Sequence, residues 1–260
     1  MLDVKSLSML FGPKSLFQKV DLTLLPTQRY GIVGANGTGK STFLKILSGE
    51  IDPTSGRVIL EPGKRMSVLN QNHNMFDDFT VLETVLMGNK VLHAIKQEMD
   101  ALYADYDDKN ADRIGELQLQ FDEMNGWNAE SDAATLLSNL EIGSEFHYTP
   151  MSEMDGKLKV RVLLAQALFG NPDVLIMDEP TNDLDFETIG WLEHFLANYE
   201  NTVLVVSHDR HFLDTVCTHI CDIDFSKINV FTGNYTFWYQ SSQLAARQRA
   251  DKNKKAEDKK

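Results

Sequence analysis

Hydrophobic and polar positions change period several times along this chain, and each change marks an element. The opening LDVKSLSMLF alternates as a strand does, and Gly12-Pro13 closes it as a turn. A second strand pair is predicted across residues 17–25. QRYGIVG is a short apolar run ending in glycine, the pattern of a strand buried on both faces. STFLKILSG then takes helical spacing at Phe43, Ile46 and Leu47 and stops at Gly49. Residues 51–69 carry the turn DPTSG and two strands, RVIL and RMSVL.

From Val91 the period lengthens. Leu92, Ile95, Met99, Leu102 and Tyr106 recur at helical intervals, giving one apolar face. The acidic break DYDDKNAD follows, and Ile114, Leu117, Phe121 and Met124 then repeat the spacing. The pattern predicts an antiparallel helical hairpin at about 91–125, inserted in an α/β domain. Helices at 159–168 and 186–199 and strands at 174–177 and 202–206 resume the alternation. Such an order implies a mostly parallel sheet with helices on both faces.

Composition narrows the class. With 42% hydrophobic residues in 260, the chain has a sizeable core to bury. Two cysteines, Cys217 and Cys221, point to a reducing compartment. They flank His219, but the spacing fits no familiar zinc pattern, so they read as packed thiols. No basic start precedes an apolar run, and no stretch approaches the ~20 apolar residues that cross a bilayer. A soluble, cytoplasmic protein is expected. The net charge is −13, yet the seven Lys/Arg and three acids from Arg247 onward make a +4 tail on a −17 body. Contact with a polyanion would be local, and a solvated tail explains the same lysines.

Four segments carry chemistry. Gly34, Ala35, Asn36, Gly37, Thr38, Gly39, Lys40 and Ser41 fit GxxxxGK[ST] between a predicted strand and a predicted helix. Glycines let such a loop approach phosphates closely, and its N–H groups and the helix start face the negative charge. Lys40 would reach the β- and γ-phosphates, and the Ser41 hydroxyl would ligate Mg²⁺. Asp178-Glu179 ends the apolar strand VLIM, where parallel sheets hold ligands. Asp178 would hold the Mg²⁺ shell, and Glu179 would orient the attacking water. His208 ends VLVVS and could donate to the γ-phosphate; a structural histidine is the competing reading. Gln71, just after RMSVL, could complete the metal shell with its amide oxygen.

Together these segments resemble the ATP-binding cassette superfamily over essentially the whole chain. GANGTGKST, ending in Thr42, is similar to Walker A, and MDEPTNDLD to Walker B and the D-loop. Gln71 matches the Q-loop glutamine and His208 the switch histidine. Phe11 stands where these proteins stack a ring on adenine, and a core phenylalanine is the alternative. Within the superfamily, SHDRHFLDTVCTHICDID followed by TGNYTFWYQ resembles the ABC-F pattern, and the hairpin at 91–125 sits where that family carries its arm. Asp183 replaces the usual histidine of the D-loop.

The signature departs from LSGGQ. Here MSEMDGKLKVR places Arg161 nine residues after Ser152 rather than six, and both glycines after the serine are gone. That segment would cap the γ-phosphate of a second cassette with backbone N–H groups, and Glu153 beside a phosphate would repel it.

The resemblance implies a P-loop cassette with a mostly parallel core sheet, an antiparallel β subdomain and a helical subdomain bearing the arm. Residues 1–238 would form the cassette and 239–260 the start of a charged linker. It implies ATP and Mg²⁺ as ligands, a second cassette as partner, and ribosome contacts to tRNA and rRNA through linker and arm, with no membrane. Since ABC-F proteins have two cassettes, the chain is expected to be the N-terminal part of a protein about twice as long. A transporter's nucleotide-binding subunit would carry the same phosphate motifs. A chromosome-type cassette would need long heptads that are missing here, and a silent interaction module would tolerate the altered signature.

Overall fold

The computed structural model describes residues 1–257, with side chains through Lys255. The part of the expected linker at 258–260 lies outside the described residues. Contacts divide the chain into two units. The first holds Met1–Lys64, Ile176–Thr181 and the chain from Leu192 onward; the second holds Arg65–Leu175 and Asn182–Trp191.

Within the first unit, β1 (Leu2–Phe11) pairs antiparallel with β2 (Lys14–Leu24) and with β4 (Ser55–Leu60), in the order β2-β1-β4. The inward set of β1 switches parity, from Leu2 and Val4 to Leu7 and Met9, all buried. An irregularity between Val4 and Leu7 makes the switch: Ser6 takes φ +48° and donates its N–H to Asp21 at 2.8 Å. Lys19, also at φ +48°, donates its N–H to Ser8 Oγ at 2.8 Å. Residues 17–25, expected as a strand pair, therefore form most of one strand. The bulge at Lys19 resets the alternation without reversing the chain.

The second sheet runs β5 (Met66–Val68), β6 (Val174–Asp178), β7 (Thr202–Val206), β3 (Arg29–Val33), β8 (His219–Asp224) and β9 (Lys227–Thr232) in that order. Its centre is β3, flanked in parallel by β7 and β8, while β9 returns antiparallel on β8. All five residues of β7 and Tyr30 to Val33 of β3 are buried, as strands covered on both faces must be. Strand β6 (Val174–Asp178) enters the first unit at Ile176. Cys217 and Cys221 are buried free thiols, and burial pushes the Cys217 thiol up to about 12.

Helix α9 (Tyr235–Glu257) covers most of the segment expected as a linker and starts four residues before position 239. Asp214 accepts the Thr236 N–H at 2.7 Å and Asn234 accepts the Phe237 N–H at 3.0 Å, so its first turn is capped from outside and within.

The second unit holds β5 (Met66–Val68) and five α-helices: α2 (Val81–Leu86), α3 (Lys90–Ala104), α4 (Ala111–Glu123), α5 (Ala129–Asn139) and α6 (Gly156–Leu168). Helices α2, α5 and α6 pack on one another, and α3 packs on α4. Leu92, Ile95 and Met99 of α3 and Ile114, Leu117 and Phe121 of α4 are buried as their spacing requires. Arg113 joins the pair by donating to Glu98 at 2.7 and 3.0 Å. Tyr106 is not part of that face: α3 ends at Ala104, Asp105 leaves helical geometry, and Tyr106 is exposed. Helix α6 begins three residues before position 159, because Asp155 caps it by accepting the Leu158 N–H at 2.9 Å. Helix α7 (Phe186–Ala197) starts in this unit and ends in the first. No helix among the described residues is long and apolar enough to cross a membrane.

Candidate nucleotide site

Strand β3 delivers the chain into the loop from Gly34 to Gly39, and α1 (Lys40–Leu47) carries it away. Gly37 and Gly39 stand at φ +78° and +100°, where a side chain is strained. A Cβ on Gly39 would meet Leu16 Cδ1 at 2.9 Å, and one on Gly34 would meet the Ile223 carbonyl at 2.7 Å. The loop's carbonyls are taken by the protein's own donors. Lys40 Nζ donates to Gly34 and Ala35 at 2.9 and 3.2 Å, Thr38 Oγ1 to Ala35 at 2.8 Å, and Lys14 Nζ to Gly37 at 3.1 Å. A loop so folded presents N–H groups, a helix start and an ammonium to an anion. Asn36 and Ser41 are exposed, and Thr42 is half-buried in α1.

At the end of β6, Asp178 and Glu179 are half-buried, and Glu179 takes φ +50°. Its N–H donates to the Val206 carbonyl at 2.8 Å, which pins the turn to the end of β7. Its carboxylate reaches the residue two places beyond Val206: the His208 N–H donates to Oε2 at 3.2 Å, and His208 Nε2 lies 3.3 Å from Oε1. Left-handed backbone on a non-glycine residue is a strained state found at working sites. Since β7 neighbours β3 in parallel register, with Ile32 opposite Val206, the ends carrying the phosphate loop and His208 emerge at one edge. A cavity of about 830 Å³ opens there, lined by Gly34, Ala35, Lys40 and His208 together with Trp238 and Arg249 of α9. Phe11 ends β1 as an exposed ring, 53% accessible, rather than a core residue.

Gln71 and Ser152 belong to the second unit. Gln71 is exposed just past β5, and Ser152 is exposed on the single turn Met151–Glu153 ahead of α6. Arg161 of α6 bonds Glu141 at 3.1 Å and also pairs with Asp185. The Asp185 carboxyl sits below its ordinary range, first because the Thr188 N–H donates to it at 2.8 Å and then because of Arg161.

Several of these contacts give no local signal in the sequence. Lys14 on the phosphate loop, Leu16 beneath Gly39 and the Arg161–Asp185 pair join residues distant along the chain. Arg210, two residues past His208, lies 5.9 Å from the ring centres of both Tyr235 and Tyr239 on α9, another long-range contact.

No cluster of three or more His, Cys, Asp or Glu side chains gathers as a metal site among the described residues. Two of the oxygen donors expected from the sequence, the Ser41 hydroxyl and the Asp178 carboxylate, lie in the first unit, and the third, the Gln71 amide, lies in the second. Oxygen donors of this kind suit Mg²⁺ chemically, since that ion keeps water and substrate phosphates in its shell.

A glycine loop, an acidic strand end and a histidine on adjacent strands define a P-loop cassette. The family model described as "ABC transporter" matches residues 17–182, and the chain belongs to that family, whose cassettes are P-loop ATPases. It is 53% identical over 260 residues to the "Uncharacterized ABC transporter ATP-binding protein YkpA" of Bacillus subtilis, covering 99% of this chain and 48% of that one. It is 32% identical over 246 residues to the "Energy-dependent translational throttle protein EttA" of Mycobacterium tuberculosis, covering 92% and 44%. The chain thus spans about half the length of these curated relatives. Among solved structures it resembles a dimeric ATP-binding cassette in a post-hydrolysis state bound to ADP and Pi, with a TM-score of 0.62 at 20% identity, over 89% of this chain and 98% of that one. At that identity the likeness supports the fold.

Proposed function

We propose that this chain is the first cassette of an ABC-F-type factor that hydrolyses Mg·ATP at sites shared between two cassettes and acts on the ribosome. The observation that carries the ATPase part is Glu179, held by both the backbone and the ring of His208 at the strand ends beside the phosphate loop.

In this reading Lys40 and the loop N–H groups from Gly34 to Gly39 bind the β- and γ-phosphates, with Thr42 in the first turn of α1. Ser41 and Asp178 would hold Mg²⁺, with the Gln71 amide as a further donor, and the ion would neutralise phosphate charge when bound. Glu179 orients and polarises the attacking water, and His208 fixes both Glu179 and the γ-phosphate. Phe11 stacks on adenine. Ser152 and the start of α6 serve the nucleotide of the opposite cassette. Phosphoryl transfer asks mainly for position and charge stabilisation, which these groups supply.

Support for the ribosomal role comes from the relative named as a translational throttle, from the α3–α4 hairpin at the arm position, and from the basic end of α9. A cytoplasmic location and pairing with a second cassette belong to the same reading. The family description favours a second reading, a transporter's nucleotide-binding subunit. Co-sedimentation separates them. Full-length Glu179→Gln protein is expected to pellet with ribosomes in ATP and to leave them without it. Pelleting with membranes instead would favour the transporter reading. ATPase per mole should rise with concentration, and a high rate at nanomolar protein would contradict a shared site.

A further inference from the structure

In the second unit, the signature turn is stitched to the segment that follows Gln71. The Met151 N–H donates to the Phe79 carbonyl at 2.8 Å, and the Ser152 N–H to the Asp77 carbonyl at 3.3 Å. The Val81 N–H donates to the Thr149 carbonyl at 3.0 Å, and Thr80 and Pro150 form a β-bridge. Upstream, Gln71 sits in a run of side-chain turns. The Asn72 N–H donates to Asn70 Oδ1 at 2.8 Å and the Asn74 N–H to Asn72 Oδ1 at 3.1 Å.

A buried charge closes this arrangement. Lys159, in the first turns of α6, has a side chain only 9% exposed. Its ammonium donates to Asp77 Oδ1 at 2.6 Å and to Asn74 Oδ1 at 2.9 Å. Asp77 thus holds the signature twice, accepting from Ser152 through its carbonyl and from Lys159 through its carboxylate. Asn74 connects the same ammonium to the turn that contains Gln71.

Asp77 keeps part of its carboxylate in solvent, its side chain being 36% exposed, so the buried partner is the lysine, and losing Asp77 would strand its ammonium. What such a pair does well is select one register between two segments. The signature here lacks the two glycines that follow its serine in the usual motif, so its turn needs another source of definition.

We propose that Lys159, paired with Asp77, is a positioning residue that couples the Gln71 segment to the signature turn. It holds Ser152 and the start of α6 in the register needed to meet the nucleotide of a second cassette. The inference rests on the roles given above to Gln71 and Ser152 and adds the device that links them.

The test uses the whole chain in a Glu179→Gln background, with ATP-driven dimerisation followed by sedimentation velocity and nucleotide affinity by a fluorescent ATP analogue at low protein concentration. Lys159→Met is expected to weaken Mg·ATP-driven dimerisation about tenfold or more while nucleotide affinity at the chain's own site moves less than about twofold. Asp77→Asn, which removes only the charge, should weaken dimerisation in the same direction. Lys159→Arg should restore it to within about threefold. Hydrogen exchange at the Met151 and Ser152 amides should rise in the first two variants. If Lys159→Met fails to fold, Asp77→Asn and Lys159→Arg carry the test. Folded Lys159→Met or Asp77→Asn that dimerises like its parent overturns the coupling alone. A parent that ignores Mg·ATP overturns the shared-site reading, and the coupling with it.

Discussion

Glu179 grips His208 at two points: Oε2 accepts its backbone N–H at 3.2 Å, and Oε1 lies 3.3 Å from its Nε2. The backbone contact ties the carboxylate to the residues just past β7 whatever the ring does, and the largely exposed imidazole lies beside the same carboxylate. The two side chains therefore behave as one unit, and their substitutions should not add.

Glu179→Gln is expected to keep Mg·ATP affinity and to lower turnover by about 10²–10⁴-fold, the range of a lost general base. His208→Ala should lower turnover less, since the backbone N–H of residue 208 still holds Glu179. The double variant should fall within about threefold of Glu179→Gln alone. Single-turnover ATP hydrolysis on the three proteins checks all of this.

Gly39 has its positive φ and its close packing on Leu16 in the same place. Gly39→Ala should cost about 1–3 kcal/mol of stability, lower Tm by about 2–10 °C and weaken Mg·ATP binding. Gly49→Ala supplies the control, because Gly49 has φ +80° but nothing within 4 Å of an added Cβ. It should lose stability through backbone strain alone and leave nucleotide affinity unchanged. Thermal melts with and without Mg·ATP separate the two effects.

His211 follows His208 by three residues, and its Nδ1 lies 2.9 Å from Glu193 Oε1. That bond and the carboxylate's charge raise its pKa above the ordinary histidine value. A raised folded value means the pair's contribution is complete below the unfolded pKa of about 6.5 and fades as pH climbs through the folded one. The ring is largely exposed, so the contribution is small and salt-sensitive. An NMR titration should place His211 above its ordinary value in the parent and nearer to it in Glu193→Gln.

The central strands were legible because β3 and β7 are apolar on both faces, and the phosphate loop because glycine spacing and backbone geometry are tightly linked. The parity switch at Ser6 and the bulge at Lys19 were not legible, since a bulge resets the alternation without a glycine or proline to mark it. Short elements were also missed. The seven-residue α8 (Arg210–Val216) lies inside a run read only as a motif, and β8 follows it directly. Lys159, which looks like an ordinary helix-surface lysine, is buried because Asp77 and Asn74 receive it from 82 and 85 residues away. Pairings of that range leave no trace in local spacing.

Asp155 makes the last prediction. Its carboxylate accepts the Leu158 N–H at 2.9 Å, so the start of α6 already carries an anion of its own. If α6 faces the γ-phosphate of a second cassette, that carboxylate caps the helix and also repels the phosphate it should receive. Asp155→Asn keeps a good cap and removes the charge, so folding stability should stay within about 0.5 kcal/mol. Mg·ATP-driven pairing should then tighten, by about threefold or more in low salt. Asp155→Ala removes cap and charge together and should lose about 0.5–2 kcal/mol of stability. Melting and sedimentation velocity in the Glu179→Gln background distinguish the two effects. Tighter pairing in Asn that vanishes in high salt identifies the carboxylate as a brake on pairing, whereas weaker pairing in both variants identifies it as a contact the second cassette needs.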